Sequence, residues 1–448
     1  MNRRQSLKHV AALAASAPFL SPDLLRAGDS ARKLKHAAIG ITGQAASDID
    51  ALMASGRMEV VAIAEVDTRN HAAARQKFPD ARIYQDWREL FRAEGDRIES
   101  VSITVPDHMH ALIAMEALRR KKHVYCQKPL TRTIAEARAL RTAAREAGVV
   151  TQMGNQIQSS SEYRTAVQMV KEGAIGKVKE VHCWSSATFA QAPRPDGEET
   201  IPEGLSWDLW LGGAPSRPYQ SKIYHPFNWR GWQDFGGGAI ADFACHIMDT
   251  PFKALDLAAP LSVRCTGAED AWLKDQKRRS ESWPQWETFE YSFAGTPFTT
   301  GPTLPLFWYD GGRKPSPSQI PGMEGREVPG NGAAIVGEEA TLLIVHFGSR
   351  PQLLRPGKPP ELRRKMEPGS PQEHYTSFVL ACLGEGKTTS HFDYAVPLTT
   401  AALLGTIAVR FPDKTLTWDE TNGTLAGDPD AAKLVSQTYR DGWSLEKI

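Results

Sequence analysis

The 448-residue chain carries a formal net charge of +1, with 41% hydrophobic and 23% charged residues. That is an ordinary globular balance at a length that accommodates two or three domains. The charge gives no electrostatic case for a nucleic-acid or anionic-membrane partner, and the short basic runs at 119–122 and 277–279 read as solvated surface.

The first thirty residues stand apart. Arg3, Arg4, Gln5, Ser6, Leu7 and Lys8 precede an apolar, alanine-rich stretch over 10–20. This pattern predicts a twin-arginine export signal over residues 1–30, and hence a periplasmic or exported protein. No later stretch is long enough to span a bilayer. The five cysteines (Cys126, Cys183, Cys245, Cys265 and Cys382) are odd in number and not at metal-ligand spacing. They are expected to be buried free thiols, with no metal site.

Beyond the leader, apolar runs at 37–41, 60–66, 100–105, 123–126 and 149–153 predict strands. Helical patterns at 47–55, 70–78, 110–120 and 134–147 fall between them. Such alternation implies a parallel sheet with helices on both faces, an α/β Rossmann domain over 34–155. From about 156 the pattern changes. A helix at 162–172 and an alternating strand at 178–186 lead into a loop rich in Pro, Gly and Trp over 190–235. A helix starts near Ala239, and strand-like pieces follow at 261–268, 287–293, 303–309 and 340–345. A Pro/Gly-rich loop at 315–332 and helices at 374–383 and 397–411 complete an α+β domain over 156–448, with an open, mostly antiparallel sheet.

Two segments carry chemistry. After the first strand, Gly40, Ile41, Thr42, Gly43, Gln44 and Ala45 form a degenerate version of the G-x-G-x-x-G dinucleotide fingerprint, with Thr42 and Ala45 in place of glycines. Small residues there let backbone and helix N-terminus approach a pyrophosphate. Glu65 closes the second strand, where a carboxylate can bond a ribose diol; this favours NAD over NADP. Arg69 argues weakly the other way. The second segment is Tyr125-Cys126-Gln127-Lys128-Pro129-Leu130. Proline biases the lysine before it toward extended backbone. Lys128 is thereby placed at the mouth of the sheet, where open α/β folds bind ligands.

These segments resemble the glucose–fructose oxidoreductase / inositol dehydrogenase (Gfo/Idh/MocA) family, in its exported branch. The resemblance continues through Thr104-Val105-Pro106-Asp107-His108, Gln152-Met153-Gly154-Asn155-Gln156 and Gly173-Ala174-Ile175-Gly176-Lys177-Val178. It extends over Trp207–Gly212, Tyr224–Gly231, the run Gly236-Gly237-Gly238-Ala239-Ile240-Ala241-Asp242-Phe243-Ala244-Cys245-His246, Trp308–Gly312 and Asp441–Trp443. It implies that Lys128, Asp242 and His246 line the substrate pocket. It also implies a cofactor site of Gly40, Thr42, Gly43, Gln44, Ala45, Glu65, Pro106, His108, His110, Gln127 and Asn155, and a homo-oligomer, dimer or tetramer, built on the second domain's sheet.

Moving a hydride from an alcohol carbon requires a base for the hydroxyl proton and a group that stabilises the developing alkoxide. Asp242 and His246 are four apart at a helix start and share one face. His246 is assigned as acid/base because imidazole titrates near neutrality. Lys128 is assigned to polarise the substrate oxygen, and Asp242 to orient hydroxyls or His246. Tyr224, His225, Trp229 and Arg230 are further pocket candidates, and Trp308 and Tyr309 are candidates for stacking on a sugar face. Gln127 stands where the family has glutamate; it keeps the hydrogen-bonding shape and loses the charge beside Lys128. The expected activity is that of an oxidoreductase on a sugar or polyol hydroxyl. Export adds a condition, because no free NAD pool exists outside the cytoplasm: the cofactor must be tightly bound. That opens a redox-neutral, NAD-dependent glycosidase as the alternative, and a non-catalytic carbohydrate-binding protein as a third reading.

Overall fold

The computed structural model describes residues 32–346, 348–363 and 365–446. The predicted export signal lies outside them. From Leu34 onward the chain forms one compact unit.

Its first half is a six-stranded parallel sheet in the order β3-β2-β1-β4-β5-β6. The strands are β1 Leu34–Ile39, β2 Met58–Ala64, β3 Arg82–Tyr84, β4 Ser100–Ile103, β5 His123–Cys126 and β6 Thr151–Met153. The order reverses between β1 and β4, so a crevice opens at the carboxyl ends of these two strands. The alternating pattern predicted this architecture with five strands. Unread were β3 and the helix Trp87–Glu94 that follows it.

The second half is a ten-stranded sheet in the order β14-β13-β12-β11-β7-β10-β9-β8-β15-β16. Its centre comprises β7 Val178–Trp184, β8 Ser262–Ala268, β9 Glu287–Ala294, β10 Thr303–Tyr309, β11 Gly332–Gly337 and β12 Thr341–Val345. The remaining strands are β13 Gln352–Leu354, β14 Glu361–Leu362, β15 Thr415–Asp419 and β16 Thr424–Ala426. Pairing is antiparallel except between β7 and β10. The sheet is open and mostly antiparallel, as expected. Strict alternation in β10 sends Leu304, Leu306 and Trp308 into the core against the helices. Tyr309 takes the opposite face, with its ring stacked on His182.

Two helices join the halves. The helix Phe392–Ala408 is buried along nearly its whole length. Against it packs the helix Gly238–Ile247. The helix Pro371–Cys382 returns to the first sheet, where Tyr375, Phe378, Val379 and Cys382 close a core cluster with Leu34, Ala38, Ile49, Leu52 and Tyr125. All five cysteines are free and buried. Among the described residues, no helix is long and apolar enough to cross a membrane, and no cluster of His, Cys, Asp and Glu has metal-site geometry.

Candidate active site

The site is built at the carboxyl ends of β1, β4, β5 and β6, where the second half of the chain meets the first. Gly40 turns out of β1 at φ +88°, and a Cβ there would lie 2.4 Å from the Thr104 carbonyl oxygen. Only glycine allows the β1 and β4 turns to approach so closely. The helix Gln44–Met53 starts at Gly43, which supplies no side-chain cap, and nothing lies within 4 Å of the place a Gly43 Cβ would take. The first turn of that helix therefore faces open space, an electropositive cradle for an anion. Glu65 closes one side. Its carboxylate accepts from Ile41 N at 3.3 Å and Asp67 N at 3.1 Å, and burial raises its pKa. Arg69 is held by Asp67 through Nε at 2.7 Å and a second guanidinium nitrogen at 2.5 Å.

At the far side of the crevice Asn155 follows β6. Its Nδ2 donates to Asp249 Oδ2 at 2.8 Å, and its Oδ1 is enclosed without a hydrogen-bond partner. Asp249 also accepts from Gln158 at 3.1 Å and from the hydroxyls of Tyr163 and Tyr394. That network fixes the amide so that its oxygen remains an available acceptor. An open helix start, a carboxylate at the end of β2 and an orphaned buried acceptor beyond β6 together fit a nicotinamide dinucleotide.

Beneath the cradle lies Asp48, which the sequence reading missed. It is fully buried and accepts from Gln44 Nε2 at 2.8 Å, Thr104 Oγ1 at 2.8 Å, Gln127 Nε2 at 2.9 Å and Tyr375 OH at 2.9 Å. Burial pushes its carboxyl up, and the four donors oppose that. Gln127 is therefore buried and turned toward Asp48, whereas Gln44 remains exposed at the first turn of its helix while its amide reaches Asp48. Position 127 thus carries no charge beside Lys128, as expected, and its amide is bound to the buried Asp48 carboxylate. His110 is corrected, because its ring is buried, with its nitrogens 2.9 Å from the carbonyls of Pro129 and Val105, to one of which the single N–H of the neutral ring donates. His108 is enclosed between Trp210 and Phe235, with Nε2 bonded to the Trp210 carbonyl. Pro106 sits in the turn after β4 as the cap of the helix Asp107–Arg119.

Lys128 extends from the end of β5 to the second half of the chain. Its Nζ donates to Asp242 Oδ1 at 2.8 Å and to the Asp242 main-chain carbonyl at 2.9 Å. Arg230 Nε reaches the same Oδ1 at 3.4 Å. Burial works to raise the Asp242 carboxyl, but Lys128 and Arg230 outweigh it and hold the group below the ordinary carboxylate range. Gly238, at φ +68°, starts the helix that carries Asp242 and His246, and Trp283 packs where its Cβ would be. His246 is one turn beyond Asp242, its ring 5.8 Å from that of His346. Burial first, then the charge of Lys128, lowers the His246 ring well below its usual value. These surroundings favour the neutral ring over the imidazolium. Asp107 is a further buried carboxyl within electrostatic reach of Arg230, Asp242 and Lys128, pushed up to about 7, chiefly by burial.

The other pocket candidates separate. Arg230 joins the trio, its guanidinium stacked 4.2 Å over the buried ring of Trp229 and 4.5 Å over Phe227. Tyr224 is corrected, being wholly inside an aromatic cluster with Trp207, Trp210, Trp232 and Phe235. His225 lies beside Asp67, 3.9 Å away, with its ring edge-on to Trp210. Trp308 cannot stack on a sugar: it is 0% exposed, with its indole N–H bonded to Asp310 at 3.0 Å. The aromatic pair that does flank Arg230 is Phe189 and Phe227, with ring centroids 6.2 Å apart and Phe227 57% exposed.

Comparison with known proteins matches residues 34–155 to the model of an oxidoreductase family with an NAD-binding Rossmann fold. Residues 176–282 match that family's C-terminal alpha/beta domain. Levoglucosan dehydrogenase of Pseudarthrobacter phenanthrenivorans is 26% identical over 42% of this chain and 40% of its own. Inositol 2-dehydrogenase of Rubrobacter xylanophilus is 30% identical over 31% of this chain and 38% of its own. The chain thus aligns with about half or less of the length of the curated relatives it matches. In fold, the aldose–aldose oxidoreductase of Caulobacter crescentus superposes with TM-score 0.58 at 16% identity, covering 86% of this chain and all of the other. The structure of levoglucosan dehydrogenase with NADH and levoglucosan gives 0.59 at 17%, covering 86% and 99%. With both of its domains matched in order over a Rossmann sheet followed by an open mixed sheet, the chain belongs to the Gfo/Idh/MocA oxidoreductase family.

Proposed function

We propose that this protein is an NAD-dependent oxidoreductase acting on a hydroxyl of a sugar or polyol. The observation that carries this reading is the junction of Lys128 with Asp242, one helical turn from His246, at the mouth of a sheet whose first turn suits a dinucleotide. NAD, when bound, supplies the hydride acceptor. Lys128 polarises the substrate oxygen, the neutral His246 ring receives the hydroxyl proton, and Asp242 with Arg230 orients neighbouring hydroxyls. Phe189 and Phe227 offer apolar faces to a sugar ring. Glu65 and the engagement of Arg69 by Asp67 favour NAD over NADP.

The paired arginines of the leader support an exported protein with a tightly retained cofactor, in the periplasm. They also favour one second reading, a redox-neutral glycosidase in which the hydride returns to the sugar after the aglycone has left. The open second sheet supports a homo-oligomer. The test starts from protein purified without added cofactor. Denaturation should release NAD. Sugars, polyols and glycosides are then offered with and without NAD. Steady NADH formation with added NAD establishes the dehydrogenase, and aglycone release without net NADH establishes the glycosidase. Failure of every substrate despite bound NAD refutes catalysis.

A further inference from the structure

Behind the catalytic helix is a second cavity, of about 280 Å³, between the segment after Lys128 and the end of the helix Phe392–Ala408. Its walls include Arg132, Thr133, Gln233, Asp234, Arg410 and Ser436. Charge accounting around it leaves one cation over. Arg217 and Arg194 both donate to Asp234, at 2.8 and 2.9 Å, and Arg194 is also 3.6 Å from Glu281. Arg132, bound to the Gln233 carbonyl, has Glu136 as its leading carboxylate neighbour. These are three arginines against three carboxylates. Arg410 is the fourth arginine, and among the described residues no carboxylate forms an ion pair with it; Asp234, already held by Arg194 and Arg217, acts on it only from a distance. Its guanidinium lies 5.1 Å over Trp283, and its Nε is enclosed without a hydrogen-bond partner. Burial first, then Arg132, pushes it down to about 9.

An uncompensated guanidinium in a low-dielectric site is costly, and pairing relieves it. The planar fork of arginine fits two oxygens of a carboxylate or phosphate at once. We infer that this cavity binds a small oxyanion, held by the Arg410 fork and by the Arg132 donors left over from Gln233, with the Ser436 hydroxyl on the wall.

The position gives the site a consequence. Arg132 is four residues beyond Lys128. Arg410 rests on Trp283, whose indole N–H donates at 3.0 Å to the Gly236 carbonyl at the head of the Asp242–His246 helix. A bound oxyanion therefore braces both segments that deliver the catalytic groups, without touching either the crevice or the cofactor cradle.

The test is thermal unfolding of the full chain titrated with inorganic phosphate and, separately, with gluconate as a sugar carboxylate, each against sodium chloride at equal ionic strength. The expected result is a saturable rise in Tm with at least one of the two, weakened tenfold or more in Arg410→Lys and lost in Arg410→Gln. Both variants should release as much NAD on denaturation as the wild type. A response to phosphate alone or to gluconate alone distinguishes the two sources of the oxyanion. No saturable rise beyond chloride, or an undiminished rise in Arg410→Lys, overturns the inference even where Arg410→Gln does not fold.

Discussion

Replacing Gln127 by glutamate restores the residue usual for the family at that position, yet the structure predicts that it harms this chain. Gln127 Nε2 donates to Asp48 Oδ2 across 2.9 Å in a fully buried site. Gln127→Glu turns that hydrogen bond into two facing carboxylates. At an effective dielectric of about 20, their repulsion at this separation is about 6 kcal/mol. The pair escapes by binding a proton, which then bridges the two oxygens, so the cost is capped by the work of protonating a carboxyl of ordinary pKa. That cap is about 4 kcal/mol at pH 7 and about 1 kcal/mol at pH 5. In the folded variant the shared proton is held to a pH above the unfolded carboxyl value. The native state thus binds more protons than the unfolded one, and stability falls as pH rises from about 4 toward the raised folded value. Urea unfolding of wild type and variant at several pH values measures this. The gap between them should be small at pH 5 and widen through pH 7. The double variant Asp48→Asn, Gln127→Glu exchanges donor and acceptor and should recover most of the loss at pH 7. A Gln127→Glu protein as stable as wild type at pH 7 and above, or a double variant no better than the single one, refutes the buried contact between Gln127 and an ionised Asp48.

Lys128→Met should reduce turnover by at least a hundredfold while leaving the NAD released on denaturation unchanged, since Lys128 bonds Asp242 and no cradle residue; loss of NAD in proportion to activity would contradict the roles given. Gly238→Ala should destabilise the fold by more than about 1 kcal/mol, read from urea midpoints, because φ is +68° and Trp283 occupies the Cβ position. Asp310 and Glu287 form a buried carboxyl pair, and burial first of all pushes both up, Asp310 to about 7. The pair's contribution is therefore full below about pH 4 and is lost as pH rises through these raised values. Asp310→Asn should flatten that part of the stability–pH curve, and an unchanged slope would exclude the group as its source.

The Rossmann half was legible because its strands are buried on both faces and its helices fall between them at regular intervals. What escaped had weak patterning. Arg82–Tyr84 is three partly or fully exposed residues, and Gly332–Gly337 begins with Gly-Ala-Ala and ends with Gly at the edge of a loop rich in Pro and Gly, leaving only Ile335 and Val336 as strand signals. Lys128, Asp242 and His246 were readable from the motifs around them, and the structure brings Lys128 and Asp242 into contact. Asp48 was not readable, since a lone aspartate on a helix resembles a solvated one until Tyr375, 327 residues away, closes over it. His346 and Phe189 come from loops that no periodicity describes. Trp308 shares its parity with Leu304 and Leu306, so the period-two pattern of the strand sends it into the core and away from any sugar.

The closure of the first sheet by Tyr375, Phe378, Val379 and Cys382 bears on how this protein is made. A nascent chain that has released residues 34–155 holds six strands in place but leaves the surface around Ile49, Leu52 and Tyr125 bare until some 230 further residues have left the ribosome. Such a surface is adhesive in the meantime. Residues 34–155 are thus a sequence unit and a family unit whose core is completed from residues 371–382. A chain severed anywhere before position 371 should emerge as a chaperone client rather than as a small dinucleotide-binding protein.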